Sequence, residues 1–120
     1  MGAFAIAGLM VVTRLNQKSV PVIDAPVTFS RVQAIIANRC VTCHSAKPSD
    51  PMFPAPPAGV MLDTPQQIKM MASGIYLRSV EQQNMPFNNR TGMTLAERGE
   101  LARRYRDGAR IVDGPVETSR

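Results

Sequence analysis

Apolar residues recur at helical spacing near the start of the main body of the chain. Val32, Ile35 and Ile36 fall at positions i, i+3 and i+4, which is the pattern of one buried helical stripe. Thr28 or Ser30 can cap the N-terminus of this helix, because a hydroxyl there accepts a hydrogen bond from a free backbone N–H. The sequence therefore predicts a first helix directly after this cap.

Two capping boxes predict further helices. The segment 64–67 (TPQQ) places Thr at the N-cap, Pro at the first helical position and Gln at the third. The segment 94–97 (TLAE) repeats the box, and Gly108 is expected to end the helix that it starts. Gly74 is expected to interrupt the earlier helix, and residues 75–80 to form another short one.

Prolines and composition changes divide the chain into three parts. Residues 1–26 form an apolar N-terminal stub and a linker without helical periodicity, and 114–120 read as a loose tail. Five prolines within 47–57 exclude helix there and favour a stiff loop. No alternating strand pattern competes. We therefore expect an all-α domain of about four to five helices at 27–113.

The composition suits one small globular domain of 120 residues with 44% hydrophobic content. The net charge of +5 favours acidic partners, but no motif or basic–aromatic interleaving points to nucleic acid. The densest basic stretch, Arg98–Arg110, also contains acidic residues. We interpret it as a solvated helix face rather than a docking patch.

The apolar run Gly2–Val12 is too short to cross a membrane alone, since as a helix it reaches about half of a ~30 Å hydrocarbon core. It lacks the basic start and the cleavage site of a secretory signal peptide. We interpret it as the end of a truncated membrane helix, through which the domain is attached to a membrane. A poor signal anchor and a fortuitous apolar terminus are the alternatives.

Cys40-Val41-Thr42-Cys43-His44 has the C-x-x-C-H pattern of covalent haem attachment. Each residue type has a separate chemical role, since two thiols form thioether bonds to the haem vinyl groups and the imidazole binds the iron. In a helical turn, Cys40 and Cys43 at i and i+3 lie on the same side. The motif predicts one covalently attached haem c and an electron-transfer function.

Two other uses of this motif fit the sequence less well. A zinc site needs four ligands, yet the chain has only two Cys and one His, all within the motif. A thioredoxin-like redox pair needs a βαβ setting, and no strand is predicted. Haem attachment uses both cysteines, so no disulfide is expected, and it places the domain outside the cytoplasm, where c-type cytochromes are assembled.

The second axial ligand is expected to be a methionine, because His44 is the only histidine. Met85 is the first candidate, since it lies in a loop between predicted helices and Pro86 beside the haem fixes that loop. It is chosen from Met52, Met61, Met70, Met71, Met85 and Met93. Met93 is the next ligand candidate, and Met61 or Met71 is expected to pack on the porphyrin. A His/Met pair raises the reduction potential and fills both axial positions, which predicts an outer-sphere electron carrier.

Several segments resemble a known family. The C-x-x-C-H motif and Met85-Pro86 are shared with class I cytochromes c in general. GVMLDTP at 59–65 and NRTGMT at 89–94 make the resemblance specific to one group of these proteins. From the linker to Arg110 the chain resembles the C-terminal cytochrome c domain of the bacterial membrane-bound urate oxidases (urate hydroxylases). The resemblance implies a class I cytochrome c fold, with His44 and Met85 as axial ligands.

In that family a multi-span membrane domain is thought to oxidise the purine, and the cytochrome at the periplasmic face of the inner membrane passes electrons toward the respiratory chain. The membrane domain is not in this chain, so we expect an electron-transfer domain and not the urate-oxidising enzyme. The expected redox partners are a membrane oxidase or dehydrogenase as donor and a respiratory cytochrome or oxidase as acceptor. One alternative is a free-standing, membrane-tethered carrier for another dehydrogenase or terminal oxidase. A third hypothesis is a sensing haem domain in which Met85 detaches to admit a small ligand.

Overall fold

The structure is a computed structural model and describes residues 18–114 of the chain. Four α-helices form the framework of this part. The α-helices are α1 (Phe29–Arg39), α2 (Pro65–Met70), α3 (Ala72–Tyr76) and α4 (Leu95–Arg106). A π-helical turn at Leu77–Glu81 continues α3, and single 3₁₀ turns lie at Pro57–Gly59 and Phe87–Asn89. No strand occurs within residues 18–114, so the prediction of an all-α chain is confirmed for this part.

The three predicted N-caps, those of α1, α2 and α4, are confirmed. Thr28, and not Ser30, caps α1, because its hydroxyl accepts a hydrogen bond from Arg31 N–H at 3.1 Å. Both capping boxes are complete, with the Thr64 and Thr94 hydroxyls each accepting a bond from the backbone at the third helical position. Each box satisfies backbone N–H groups that would otherwise lack partners at a helix start.

The predicted helix ends are shifted by one or a few residues. The interruption lies at Met71, whose ψ of 8° makes it the C-cap of α2 and the N-cap of α3, whereas Gly74 lies inside α3. The prediction of a break at Gly74 was therefore wrong in position. At the end of α4, Asp107 is the C-cap, and Gly108 follows with a φ of +107° that favours glycine.

The hydrophobic core lies where α1 packs against α4. The predicted stripe is confirmed, since Val32, Ile35 and Ile36 are 6%, 0% and 1% exposed. Leu101 and Ala102 of α4 belong to the same buried cluster. Burying a side chain of this size contributes about 1.5–3 kcal/mol, so this contact anchors the helix that leads into the C-x-x-C-H motif.

The extended segment 18–26, predicted as a linker, lies against α4. The Arg103 guanidinium donates to Ile23 O at 2.9 Å and to Asp24 O at 2.6 Å. A Cβ atom placed at Gly99 would lie only 2.6 Å from Pro21 O. The absence of a side chain at position 99 therefore lets the segment approach the helix closely.

Replacing Gly99 with alanine is expected to lower the free energy of unfolding. Overpacking costs about 1–3 kcal/mol, and we expect this cost to exceed the gain of about 1 kcal/mol that alanine brings to an open helix. Denaturant unfolding of both proteins measures the difference. A variant more stable than the wild type would show that segment 18–26 does not lie against α4.

The solvated face predicted for Arg98–Arg110 is found only in part, since Arg106 is exposed but Arg98 and Arg104 are not. Arg98 is only 5% exposed, and Arg104 donates to three backbone carbonyls, those of Val27, Arg110 and Val112, at 2.6–2.9 Å. The planar guanidinium carries several N–H donors, so one side chain can satisfy several carbonyls. The prediction of a solvated face was therefore wrong for Arg98 and Arg104, which anchor backbone instead, and is confirmed for Arg106.

Two predictions concern residues that the structure does not describe. The apolar run 2–12 and the tail residues 115–120 lie outside the described part. Between residues 18 and 114, no helix combines the length and the apolar character needed to cross a membrane. Membrane attachment through residues 2–12 stays a prediction.

Candidate functional site

The C-x-x-C-H motif forms turns directly after α1. Cys40 caps the helix, with its N–H donating to Ile36 O at 2.8 Å, and His44 N–H donates to Cys40 O at 2.9 Å. Both cysteines are free thiols and partly exposed. Because the core contact holds α1 in place, it also sets the position of the motif that directly follows this helix, as the sequence indicated.

One ring nitrogen of His44 is held by the backbone. Its Nδ1–H donates to Val60 O at 3.0 Å, and Leu62 N–H donates to His44 O at 2.8 Å, which joins the main chain of the two loop segments. Among residues 18–114 no protein group bonds to Nε2. A hydrogen bond at Nδ1 fixes the tautomer and ring orientation and leaves Nε2 available to a ligand.

Two cavities meet at the motif, and four residues line both of them: Cys40, His44, Pro57 and Met85. We call the first the loop cavity, of about 300 Å³, which is also lined by Cys43, Met52, Phe53, Pro86, Phe87 and the polar residues Arg39, Arg90 and Thr91. The second, the helix cavity, has about 250 Å³ and is also lined by Val60, Leu62, Met71, Ile75, Arg78 and Ser79. The linings are mostly apolar, as in cofactor-binding sites.

The methionines separate clearly by position. Met85 lines both cavities together with His44, and Met71 lines the helix cavity. Met93, the next ligand candidate, is 3% exposed within the hydrophobic core and lines neither cavity. Met61 is 36% exposed and also lines neither, while Met52, which the sequence did not single out, lines the loop cavity.

Comparisons with family models, with curated proteins and with solved structures find no match. Function is therefore inferred from the residues of the site, from their contacts and from the resemblance carried by the sequence segments.

The backbone of Met85 is bonded on both sides. Its N–H donates to Arg78 O at 3.3 Å, and its carbonyl accepts a hydrogen bond from Arg98 Nη1 at 2.7 Å. The same Nη1 donates to Ser79 O at 2.6 Å. Burial lowers the pKa of the Arg98 guanidinium from its ordinary value, which lies so high that the group stays charged.

Asp50 ties the proline-rich loop to the loop that follows Met85. Its carboxylate accepts a bond from Met52 N–H at 2.9 Å and two bonds from the Arg90 guanidinium at 3.2 Å. The Met52 bond, and then Arg90, hold the pKa of Asp50 below its ordinary value. Cys43 Sγ lies 3.9 Å from the same carboxylate, so this ion pair borders the C-x-x-C-H motif.

Arg39, at the end of α1, clips the start of α4. Its guanidinium donates to Glu97 at 3.1 Å and to Thr91 O, and the Thr91 hydroxyl donates back to Arg39 O at 2.7 Å. Burial alone would raise the pKa of Glu97, but the Thr94 N–H and Arg39 outweigh it and lower the pKa. The ionised carboxylate thereby joins the capping box of α4 to a residue of the loop cavity.

Replacing Glu97 with glutamine is expected to lower the free energy of unfolding at neutral pH by about 1–3 kcal/mol, the usual loss for hydrogen bonds to a charged group. Because the pKa of Glu97 is lowered by folding, its contribution is present above about pH 4.3 and is lost as the pH falls below that value. Denaturant unfolding at about pH 7 and about pH 3 measures both effects. The free energy of unfolding is expected to change less between these pH values in the variant than in the wild type.

The matched control is Glu100→Gln on the same helix. Glu100 pairs with Arg31 at 2.8 Å, but the Arg31 side chain is 48% exposed. Such a surface pair contributes only about 0.2–1 kcal/mol. Equal losses in the two variants would contradict the role of Glu97 as the clip.

Burial of the Cys40 thiol, and then the neighbouring Cys43, raise its pKa to about 12. Within the described residues, no group of three or more His, Cys, Asp or Glu side chains is placed to hold a metal ion.

Sequence reasoning missed the polar residues that hold the site, namely Arg39, Asp50, Arg90 and Arg98. One signal was present for Arg98. It stands three and four residues before Leu101 and Ala102, so it falls on the stripe of α4 that the core buries. A charged residue on a buried stripe indicates a specific partner.

Proposed function

We propose that this chain is a class I cytochrome c domain that transfers electrons through one covalently attached haem c. The observation that carries the proposal is that His44 and Met85 line the same two cavities as Cys40. An imidazole and a thioether that line the same apolar cavities match the ligand set of a high-potential cytochrome.

The residues around the cavities fit a haem. Cys40 and Cys43 would form the thioether bonds, and His44 Nε2 and the Met85 thioether would be the iron ligands. Haem also carries two carboxylates, and guanidinium groups pair well with carboxylates. Three arginines line the cavities: Arg39, Arg78 and Arg90. Arg39 and Arg90 already pair with Glu97 and Asp50, whereas the exposed Arg78 takes part in no ion pair among residues 18–114, so Arg78 is the first candidate for this pairing.

A bound haem supplies an iron atom that gains and loses one electron. The protein side chains set the conditions for that exchange. His44 is oriented by its bond to Val60 O, and the weakly donating Met85 thioether favours the reduced state. The apolar walls, including Leu62 and Ile75, exclude water, so little rearrangement accompanies the transfer.

The setting we propose follows from the sequence resemblance. The chain is the cytochrome domain of a urate-oxidase-type membrane protein at the periplasmic face of the bacterial inner membrane. It takes electrons from the urate-oxidising membrane domain and passes them to the respiratory chain. The net charge of +5 favours encounter with acidic redox partners. The chain itself performs no urate chemistry in this proposal.

A haem stain tests the central proposal. The full chain is produced in cells that attach c-type haem and is separated on a denaturing gel. We expect a stained band, because thioether bonds survive denaturation. A colourless band from such cells would overturn the proposal.

Weak binding of carbon monoxide by the reduced protein is expected of a carrier with two protein ligands, whereas strong binding would favour the sensing function.

A reduction assay tests the proposed donor. The oxidised protein is mixed with bacterial membranes that oxidise urate, and the absorbance of reduced haem is followed after urate is added. Urate-dependent reduction is expected, with none in membranes that lack the urate-oxidising protein. Equal rates in both membranes would favour a carrier for another dehydrogenase.

A further inference from the structure

Arg98 occupies an unusual place for a charged residue. It lies in the first turns of α4, next to Glu97 of the capping box, and is 5% exposed. Within residues 18–114 it takes part in no ion pair, because Glu97 pairs with Arg39 instead. Removing a guanidinium from water is costly unless polar groups replace the water. The groups that do so here identify what the residue acts on.

Those groups are two backbone carbonyls at the Met85 loop. Arg98 Nη1 lies 2.6 Å from Ser79 O and 2.7 Å from Met85 O. Ser79 belongs to the π-helical turn after α3, and Ser79 and Met85 both line the helix cavity. One nitrogen atom therefore joins α4 to the two chain segments that border the cavity on the Met85 side.

The carbonyl of Met85 depends on this contact. The N–H of Met85 is already bonded to Arg78 O at 3.3 Å, so Arg98 completes the backbone hydrogen bonds of the residue. A hydrogen bond to a charged donor is about twice as strong as one between neutral groups. Without it, a carbonyl beside an apolar cavity would lack a partner, and a conformation that turns the carbonyl toward water would gain population.

We propose that Arg98 is the positioning residue for the Met85 ligand, and that its guanidinium keeps the thioether on the iron by holding the Met85 and Ser79 carbonyls. The inference rests on the proposed function, because it takes Met85 as the axial ligand. Arg98 itself does not touch the reacting atoms. Its effect is to keep the fraction of molecules in which the Met85 thioether is displaced from the iron small.

Imidazole binding to the oxidised holoprotein measures that population. Added imidazole can bind only when Met85 is displaced, so its apparent affinity rises in proportion to the displaced fraction. In Arg98→Leu, loss of the charged hydrogen bonds is expected to raise the apparent affinity about ten-fold or more. The thioether-to-ferric-iron absorption band is expected to weaken in parallel. Arg98→Lys keeps a charged donor and is expected to restore most of the wild-type band.

Arg104→Leu is the matched control. Arg104 lies on the same helix and also holds backbone carbonyls, but these belong to Val27, Arg110 and Val112 and not to the Met85 loop. This variant is expected to lower the melting temperature and leave imidazole affinity near that of the wild type. A rise equal to that of Arg98→Leu would mean general loosening and would overturn the inference.

The outcomes separate this inference from the proposed function. If the wild type has covalent haem and the thioether band, but Arg98→Leu binds imidazole as weakly as the wild type, the role of Arg98 is wrong and the proposed function stands. If the wild type lacks covalent haem, the proposed function fails, and the role of Arg98 fails with it. If Arg98→Leu does not fold, Arg98→Gln is the second variant, because glutamine keeps a neutral donor. Its apparent imidazole affinity is expected to lie between that of the wild type and the roughly ten-fold increase expected for Arg98→Leu. A wild-type imidazole affinity in that variant would contradict the need for a charged donor.

Discussion

Replacing Met85 with alanine is expected to abolish the thioether-to-ferric-iron absorption band and to lower the reduction potential. The thioether stabilises Fe(II) relative to Fe(III), and alanine offers no ligand in its place. A hundred-fold loss of that preference corresponds to about 120 mV for a one-electron couple. Visible spectroscopy of the oxidised protein and a potentiometric titration measure the two effects.

Met93→Ala is the matched control for this prediction. Met93 lies in the core at 3% exposure, so its truncation is expected to cost about 2–5 kcal/mol of stability and to leave the band in place. An unchanged spectrum in Met85→Ala would refute Met85 as the ligand. A band lost only in Met93→Ala would transfer the role to the second candidate.

Replacing Cys40 and Cys43 together with serine is expected to remove the haem-stained band from a denaturing gel completely. Serine hydroxyls do not form thioether bonds, so any haem that His44 and Met85 retain is released by denaturation. Each single variant keeps one thiol, and we expect a weaker band from each. A second readout is the melting temperature, which should fall because the covalent cofactor no longer fills the two cavities.

The control for the cysteine variants is His44→Ala, which leaves both thiols in place. If that variant reaches the gel, we expect it to keep the stained band while losing the spectrum of a His/Met-ligated haem. A stained band of wild-type intensity in the double cysteine variant would show that haem is bound by another route and would refute the attachment site.

Local features of the fold were predictable from sequence because their causes are local. Thr28, Thr64 and Thr94 cap helices through backbone N–H groups three residues away, and the Val32–Ile36 stripe follows helical spacing alone. The break between α2 and α3 was placed at Gly74 because glycine is a poor helix former. The kink instead lies at Met71, and nothing in its propensity marks it.

The parts of the candidate site that escaped prediction depend on contacts between distant residues. The Asp50–Arg90 and Arg39–Glu97 pairs join residues 40 and 58 positions apart. No spacing rule selects these partners, since only the folded chain brings segments so far apart in sequence into contact. By contrast, the C-x-x-C-H motif is contiguous, so the prediction of haem attachment could be made before its surroundings were known.

The bond between His44 Nδ1 and Val60 O makes a carbonyl of the main chain an electronic control on the site. A shorter bond gives the imidazole more imidazolate character and makes it a stronger donor, whereas a longer bond weakens it. Val60 directly follows the Pro57–Gly59 turn, so in the proposed cytochrome a substitution in that turn would change the reduction potential while Cys40, Cys43, His44 and Met85 stay the same.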